Sequence, residues 1–253
     1  MKITFLGTGT SSGVPMIACS CPVCKSTNPK DKRLRSSILI EIEGKVFVID
    51  SGPDFRQQLL RENVQQLDAL ILTHEHKDHI SGMDDIRAFN FIQGREADVY
   101  ATERVQTALK REFMYVFNGD DYPGIPKVKL HTIRNEPFNI DGIHIIPVEV
   151  LHYRMPVFGF RIGDFCYITD AKTISTEEKK KLLGLTVLVL NALRKEDHIS
   201  HFTLEEAVQL SAELKPEKTY LTHISHQLGV HDDVNKELPS SVRCAFDGMK
   251  MEV

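Results

Sequence analysis

Short apolar runs alternate with amphipathic segments along most of the chain. The runs SSILIEIEG and KVFVIDSG predict two strands joined by a hairpin turn at Glu43 and Gly44. The segment PDFRQQLLREN predicts a helix that begins at Pro53, because proline is favoured in the first turn of a helix. The run LDALILTH predicts a buried strand, and we expect a helix to follow from about Asp78 to Phe89.

The remainder of the chain continues this alternation. Strands are predicted at MKITFLG, ADVYA, GIHIIPVEVLH, VFGFRIGD, FCYITDA, TVLVLNA and KTYLTH, and helices at TERVQTALKREF, STEEKKKLL and TLEEAVQLSAEL. Several strands end in polar residues, as in LTHEH, VLH, ITD, LNA and LTH. Because strand ends deliver side chains into the loops at one edge of a layered α/β protein, chemistry is expected there. The pattern favours two sheets with helices outside over a single parallel sheet.

Length and composition limit the classes of protein that fit. A chain of 253 residues with 42% apolar and 26% charged residues is ordinary for a globular protein, and we expect one domain over residues 1–253. The formal net charge of -4 argues against strong nucleic-acid binding. No apolar run approaches the length that spans a membrane, and the N-terminus lacks the features of a signal peptide. We therefore expect a cytoplasmic protein with no membrane partner.

The segment THEHKDH offers a concentrated set of metal ligands directly after a predicted buried strand. His74, His76, Asp78 and His79 fall within six positions, in a chain that has 11 histidines. Imidazole and carboxylate together suit zinc, iron or manganese. One metal cannot use all four groups and keep an open position, so we expect two metals, with further ligands from other strand ends. Those ends carry His152, Asp170 and His223.

A second group of candidate ligands lies near the N-terminus. Cys19, Cys21 and Cys24 fall within six positions, and in a reducing compartment such a cluster indicates a metal more than disulfides. Three cysteines are one ligand short of a closed structural zinc site. The other two cysteines, Cys166 and Cys244, lie in apolar strand-like stretches and are expected to be buried free thiols.

The motif HEHKDH, with the later His152, Asp170 and His223, resembles the HxHxDH signature of the metallo-β-lactamase superfamily. The segment VFVIDSGPD resembles that superfamily's earlier motif of a strand followed by Asp. The resemblance implies an α/β (α+β) fold, a four-layer αββα sandwich with a two-metal site at one edge. By position, it implies one metal on His74, His76 and His152, a second on Asp78, His79 and His223, Asp170 between them, and Asp50 as a supporting carboxylate.

Further segments narrow the resemblance. LGTGTSSGVP is similar to an opening that is typical of the superfamily's phosphodiesterase branch, including the tRNA 3′-processing endonucleases. Together with HEHKDH, the chain resembles the phosphoribosyl cyclic phosphate phosphodiesterases of the bacterial carbon–phosphorus lyase pathway almost end to end, through CSCPVC, ISHFTLEEA, LTHISHQL and AFDGMKMEV. This family implies a structural zinc on the three clustered cysteines and His226, a catalytic His201, and a homodimer. It also implies hydrolysis of a small, cyclic sugar or nucleotide phosphodiester, with two zinc or manganese ions and with Asp78 and His201 as the catalytic residues.

Two other functions remain open from the sequence. The tRNA 3′-processing endonucleases share the HxHxDH motif and a similar N-terminal glycine segment, but they usually carry a long basic, glycine-rich arm that has no counterpart here. A non-catalytic metal-binding or interaction module would keep the ligands without turnover. The cysteine cluster favours the small-substrate phosphodiesterase, and the complete ligand set with His201 favours an enzyme. The natural substrate and the identity of the catalytic metals are left open by the sequence.

Overall fold

The computed structural model describes residues 1–119 and 122–253, and fifteen strands lie within these ranges. In chain order they are β1 Lys2–Gly7, β2 Ser37–Ile42, β3 Lys45–Ile49, β4 Ala69–Ile71, β5 Ala97–Ala101, β6 Val128–Thr132, β7 Phe138–Ile140, β8 Ile143–His152, β9 Met155–Ile162, β10 Phe165–Tyr167, β11 Thr173–Ile174, β12 Val187–Asn191, β13 Lys218–Thr222, β14 Val242–Cys244 and β15 Lys250–Glu252. The helices are α1 Pro22–Lys25, α2 Phe55–Arg61, α3 Lys77–Ile80, α4 Arg87–Gln93, α5 Glu103–Glu112, α6 Met114–Phe117, α7 Thr176–Lys180, α8 Leu204–Leu214 and α9 His231–Glu237. Two short 3₁₀ turns cover Pro29–Asp31 and Met83–Ile86.

The strands form two mixed sheets. The first has the order β15-β1-β2-β3-β4-β5-β6, and the second has the order β11-β8-β9-β10-β12-β13-β14, with β7 paired to β8. Strands β3 to β6 run parallel in the first sheet, and β10, β12, β13 and β14 run parallel in the second. Because parallel neighbours place their carboxyl ends at the same edge, each sheet gathers several strand ends together.

Three apolar layers hold the sheets and helices together. Between the sheets, Phe47 packs in the same cluster as Phe160 and Tyr167 of the second sheet. A second cluster covers the outer face of the first sheet with residues of α2, α4 and α5, and a third covers the outer face of the second sheet with residues of α8. The expected αββα sandwich is confirmed by this arrangement.

The predicted helix from Asp78 to Phe89 is wrong as a single element. It divides into α3, the 3₁₀ turn Met83–Ile86 and α4. The break lies at Gly82, whose backbone N–H donates to the carbonyl of Ser51 and whose Cα lies so close to Gly52 that a Cβ would stand 2.1 Å from the Gly52 oxygen. A long-range backbone contact therefore overrides the local helical pattern.

The helix predicted to begin at Pro53 begins two positions later, at Phe55. The carboxylate of Asp54 makes no capping bond to this helix and instead accepts hydrogen bonds from the backbone N–H and the guanidinium of Arg35. Most other predicted elements lie where the pattern placed them.

No helix among the described residues is long and apolar enough to cross a membrane.

The contact at Gly82 generates a prediction about stability. Gly82→Ala forces a Cβ against the backbone of Gly52, so we expect the free energy of unfolding to fall by about 3 kcal/mol. The matched control is Gly163→Ala, where no atom of the described residues lies within 4 Å of the new Cβ and the φ of +56° opposes the change. That control should cost about 1 kcal/mol. Urea unfolding followed by circular dichroism measures both, and equal losses would contradict the proposed clash.

Candidate metal centre

The strand ends of both sheets meet at one edge of the sandwich. The HEHKDH segment follows β4, and His152 is the last residue of β8. Asp170 lies just beyond β10, and His223 follows β13 directly. The first sheet thus supplies the histidine-rich segment, and the second sheet supplies the remaining candidate ligands.

Asp170 is the centre of this cluster. Its Oδ2 lies 3.2 Å from Nε2 of His79, and its Oδ1 lies 3.3 Å from Nε2 of His223. The same Oδ1 lies 3.4 Å from Nε2 of His201 and 4.0 Å from Nε2 of His74. One carboxylate therefore faces four imidazoles from both sheets.

The candidate ligands fall into overlapping sets whose ligand atoms lie within 4.8 Å of one another. These sets are His74, His76 and Asp170; Asp78, His79 and His223; and His152, Asp170 and His201. The second set is the one that the family resemblance implies. The first set holds Asp170 where the resemblance implies His152, which is grouped instead with Asp170 and His201.

His152 lies closer to His201 than to His76, the histidine with which the motif groups it. Its ring centroid lies 5.1 Å from that of His76 but only 4.5 Å from that of His201. Its Nδ1 hydrogen-bonds the carbonyl of Ser200 at 2.9 Å, which leaves Nε2 for the centre. His152 thus connects the HEHKDH side of the centre to the loop that carries His201.

Several ring nitrogens at this centre are buried without a hydrogen-bond partner among the described residues. They are Nε2 of His74, Nε2 of His79 and both ring nitrogens of His223. Buried polar atoms are normally satisfied, and a set of unsatisfied imidazole nitrogens facing two carboxylates is a donor set that fits divalent cations. The residues present therefore fit the two metals that the sequence predicts.

The fully buried carboxylate of Asp50 orients one imidazole of this donor set. Oδ1 of Asp50 accepts a 2.9 Å hydrogen bond from the backbone N–H of Thr73, and the Thr73 hydroxyl lies 2.9 Å from Oδ2. Oδ2 also pairs with Nδ1 of His79 at 2.7 Å. Because one ring nitrogen of His79 is held in this way, the other points toward Asp78 and Asp170. Thr73 was missed from the sequence, where it reads as an ordinary strand residue.

Burial and charge act in opposite directions on the pKa values in this centre. Burial favours a neutral His79, but the carboxylates of Asp78, Asp170 and Asp50 outweigh it and hold its pKa well above the ordinary value. Burial likewise opposes ionisation of Asp170, yet the histidines His223 and His79 hold its pKa well below the ordinary value. The charges of His79 and Asp170 therefore favour one another.

His201 has a different electrostatic environment. Burial, followed by the neighbouring His223, lowers the pKa of His201 to about 3. Its ring is therefore neutral near neutral pH and has one N–H to donate. A bound phosphate would raise the pKa of this ring, because an adjacent negative charge favours the protonated form.

Three residues of the centre have left-handed backbone conformations. The φ angles are 66° at Asp50, 55° at Asp170 and 54° at His223. Residues other than glycine seldom adopt this region, which costs about 1–2 kcal/mol for each. In all three cases the residue directly follows a strand or lies close to its end, so the conformation turns a side chain out of the sheet toward the centre.

The cysteine cluster forms a second candidate metal site. Nδ1 of His226 lies 3.5 Å from Sγ of Cys19 and 3.3 Å from Sγ of Cys21. With Cys24 they form one group whose ligand atoms lie within 4.8 Å of one another. Cys166 and Cys244 are buried free thiols, as predicted.

The segment between His223 and His226 joins the two candidate sites. Ile224 exchanges backbone hydrogen bonds with the N-terminal glycine segment, donating to the carbonyl of Thr8 and accepting from the N–H of Thr10. The LGTGTSSGVP segment therefore fixes the strand end that carries both histidines.

A cavity of about 500 Å³ opens beside the centre, and we call it the entrance cavity. His76 and His152 form part of its wall, so it leads to the candidate metal ligands. Its lining residues are His76, Arg104, His152, Tyr153, Arg154, Met155, Ile199 and Ser200.

Comparison with known proteins agrees with this geometry. Residues 45–224 match the family described as the beta-lactamase superfamily domain. The chain is also 40% identical to a protein whose crystal structure is described as a new diphosphatase from the PhnP family, with a TM-score of 0.94 over 100% of this chain and 97% of that one. The chain therefore belongs to the metallo-β-lactamase superfamily of metal-binding hydrolases and, within it, to the PhnP family.

Curated sequence relatives are longer proteins. An octanoyltransferase of Porphyromonas gingivalis is 38% identical over 253 residues, which are 99% of this chain and 51% of that protein. A ribonuclease Z of Nostoc punctiforme is 28% identical over 168 residues, which are 65% of this chain and 47% of that protein. The chain thus spans about half the length of the curated relatives it matches.

The cysteine cluster generates a prediction for the metal-free protein. A hydrogen bond from the backbone N–H of Cys24, followed by one from His226, lowers the pKa of the Cys21 thiol to about 6, whereas burial raises the pKa of Cys24 to about 11. Since the thiolate is the reactive form, iodoacetamide at a pH of about 7.5 should alkylate Cys21 well before Cys24. Peptide mapping by mass spectrometry measures both rates.

The pH profile and one variant test whether hydrogen bonds to Cys21 cause the expected difference in alkylation rate between Cys21 and Cys24. The rate at Cys21 should decline as the pH falls through about 6, because its lowered pKa keeps the thiol ionised only above that value. His226→Ala removes one of the hydrogen bonds that stabilise the thiolate and should slow alkylation at Cys21. Equal rates at the two cysteines in the unmodified sequence would show that the hydrogen bonds have no such effect.

Proposed function

We propose that the protein is a dinuclear metal-dependent phosphoric diester hydrolase that acts on a small, cyclic sugar or nucleotide phosphodiester. The observation that carries the proposal is the convergence of seven candidate ligands and His201 on one edge, with unpaired imidazole nitrogens among them. The matches to a PhnP-family diphosphatase and to ribonuclease Z support phosphorus chemistry at this centre.

We propose that the centre holds two divalent ions, zinc or manganese, with the ligands that the family resemblance implies. His74, His76 and His152 would hold one ion, Asp78, His79 and His223 the other, and Asp170 would contact both. When bound, such ions lower the pKa of a coordinated water and neutralise charge on phosphate oxygens.

The chain's own residues supply the remaining functions. Asp50 holds the orientation of His79 through the 2.7 Å contact to Nδ1, and Ser200 holds that of His152. His201, which is 7% exposed and lies beside Asp170, would donate a proton or hydrogen bond to the departing sugar oxygen. A phosphate bound beside it would shift the ring toward its protonated form, which donation of a proton requires.

A diphosphate bond is the second candidate substrate, because the 40% identical PhnP-family relative is described as a diphosphatase. Both bond types present a phosphorus atom with a leaving oxygen to the same centre. A product screen over 2′,3′-cyclic nucleotides, phosphoribosyl cyclic phosphate, dinucleoside diphosphates and precursor tRNA separates the cyclic phosphate and diphosphate substrates from the ribonuclease alternative.

We also propose that the protein is a homodimer in the cytoplasm, without a nucleic-acid or membrane partner.

Removal of one ligand or of the proton donor should nearly abolish turnover. We expect Asp78→Ala and His201→Ala each to lower kcat on bis(p-nitrophenyl) phosphate by about a hundredfold or more, because metal and proton-transfer contributions are each large. His144→Ala is the matched control, since His144 is exposed on β8 and belongs to neither ligand set. Release of p-nitrophenol with manganese or zinc measures the rates. Variants that retain the unmodified rate would refute the mechanism, and absence of turnover in the unmodified protein on every substrate would favour a non-catalytic module.

We also propose that Cys19, Cys21, Cys24 and His226 bind a structural zinc ion, since a Cys3His set is a closed structural arrangement. His226→Ala should reduce the zinc content by about one ion per chain, while the residues of the catalytic centre keep their ligand atoms. Elemental analysis by mass spectrometry of protein purified with zinc measures the content, with His144→Ala as the control. An unchanged content in His226→Ala would show that the fourth ligand lies elsewhere.

A further inference from the structure

The strand end LNA differs from the other polar strand ends of the chain. LTHEH, VLH, ITD and LTH supply candidate metal ligands, whereas LNA supplies the amide of Asn191. Asn191 is the last residue of β12 and is fully buried. We propose that Asn191 is a positioning residue of the metal centre, whose amide fixes Asp170 and His201 relative to one another through the backbone of Ala171. The inference rests on the proposed phosphoester hydrolysis and adds a residue that acts on its centre without touching the substrate.

The side-chain amide of Asn191 hydrogen-bonds both polar groups of the Ala171 backbone. The N–H of Ala171 donates to Oδ1 of Asn191 at 2.8 Å, and Nδ2 of Asn191 donates to the carbonyl of Ala171 at 3.0 Å. The ladder between β10 and β12 ends at the pair Tyr167 and Val189, so the amide connects the two chain segments beyond the ladder. Because a backbone N–H only donates and a carbonyl only accepts, these partners also fix the orientation of the amide.

The first of these bonds restrains the backbone of Asp170. The N–H of Ala171 belongs to the peptide bond that follows Asp170, so its direction fixes the ψ angle of Asp170. The φ of Asp170 is 55°, a left-handed conformation that a residue other than glycine keeps only where its surroundings hold it. With this backbone, the carboxylate faces His79 at 3.2 Å and His223 at 3.3 Å. Asn191 therefore supports a carboxylate that contacts histidines from both sheets.

The second bond connects Ala171 to the loop of His201. The carbonyl of Ala171 accepts a further hydrogen bond from the backbone N–H of Phe202 at 2.8 Å, and a carbonyl oxygen has lone pairs for both donors. Phe202 directly follows His201, whose Nε2 lies 3.4 Å from Oδ1 of Asp170. The distance between the carboxylate and the proposed proton donor is therefore set across a residue that the amide of Asn191 holds.

Burial makes this amide difficult to replace. Asn191 and Ala171 are both fully buried, and loss of the amide would leave the N–H of Ala171 unpaired in the interior. An unpaired buried donor is unfavourable, so the turn after β10 would shift to satisfy it. The carbonyl of Ala171 would keep its bond from Phe202. We therefore expect the displacement to be larger at Asp170 than at His201.

The test compares two asparagines that make the same pair of backbone bonds in different places. Asn90, on α4, donates to the carbonyl of Lys127 at 2.9 Å and accepts from the N–H of Lys127 at 2.9 Å. Asn90→Ala is therefore the matched control for Asn191→Ala. Retention of manganese by the metal-loaded protein against increasing EDTA measures the metal affinity, and thermal unfolding measures stability. Release of p-nitrophenol from bis(p-nitrophenyl) phosphate gives kcat and KM.

We expect Asn191→Ala to lower the manganese affinity and kcat by about tenfold or more each, whereas Asn90→Ala, which orients no candidate ligand, should stay within about twofold. The KM of Asn191→Ala should change less than its kcat, because Asn191 does not touch the substrate. This contrast should hold even where the two variants lose similar amounts of melting temperature. Asn191→Asp fills a similar volume and keeps an acceptor for Ala171, but it lacks the donor to the carbonyl. Its kcat should fall with a smaller loss of metal affinity than in Asn191→Ala.

The manganese measurement separates this inference from the proposed function, because it needs no substrate. Loss of manganese in Asn191→Ala and not in Asn90→Ala would support the positioning role even where the unmodified protein cleaves no ester, an outcome that would refute only the proposed reaction. Equal metal affinity and equal kcat in the two alanine variants would overturn the positioning role. If Asn191→Ala does not fold, Asn191→Asp and Asn90→Asp decide by the same measurements, and equal values in that pair would also overturn it.

Discussion

The buried carboxylate of Asp50 is the interaction on which the catalytic edge depends. A carboxylate that is removed from water is strongly unfavourable unless hydrogen bonds and opposite charge compensate it. Here the compensation comes from the segment after β4, through the N–H and hydroxyl of Thr73 and the ring of His79. The end of β3 is thereby tied to the histidine-rich segment, and the ring that faces Asp78 and Asp170 has one orientation. Burial raises the pKa of Asp50, against the opposing effect of His79.

The sandwich places this interaction where a second sheet can complete it. The parallel halves of both sheets direct their carboxyl ends to a common edge, and the apolar layer between the sheets sets their separation. Neither sheet alone offers a complete set of ligands, since Asp170 and His223 come from one and Asp78 and His79 from the other. The donor set therefore forms only when the whole sandwich is folded.

The sequence predicts those parts of the site whose candidate ligands lie close together in the chain or at the ends of apolar runs. It does not predict the parts that depend on contacts between distant segments. HEHKDH places four candidate ligand side chains in six positions, and the strand-end positions of Asp170 and His223 follow from the apolar runs before them. The pairing of the cysteines with His226 came from the family resemblance, because spacing in the chain carries no sign of it. The break at Gly82 depends on the approach of Gly52, which has no signal in residue periodicity.

The left-handed backbone at Asp50, Asp170 and His223 has a consequence for how this protein can change. Glycine would relieve the strain at each of these positions, so the substitutions that most ease the backbone are the ones that delete a carboxylate or an imidazole from the centre. Conformational stability and chemical competence are therefore opposed at these three positions. Selection for a more robust fold would have to act elsewhere in the sandwich, and a lineage released from the need for the chemistry would be free to lose these side chains first.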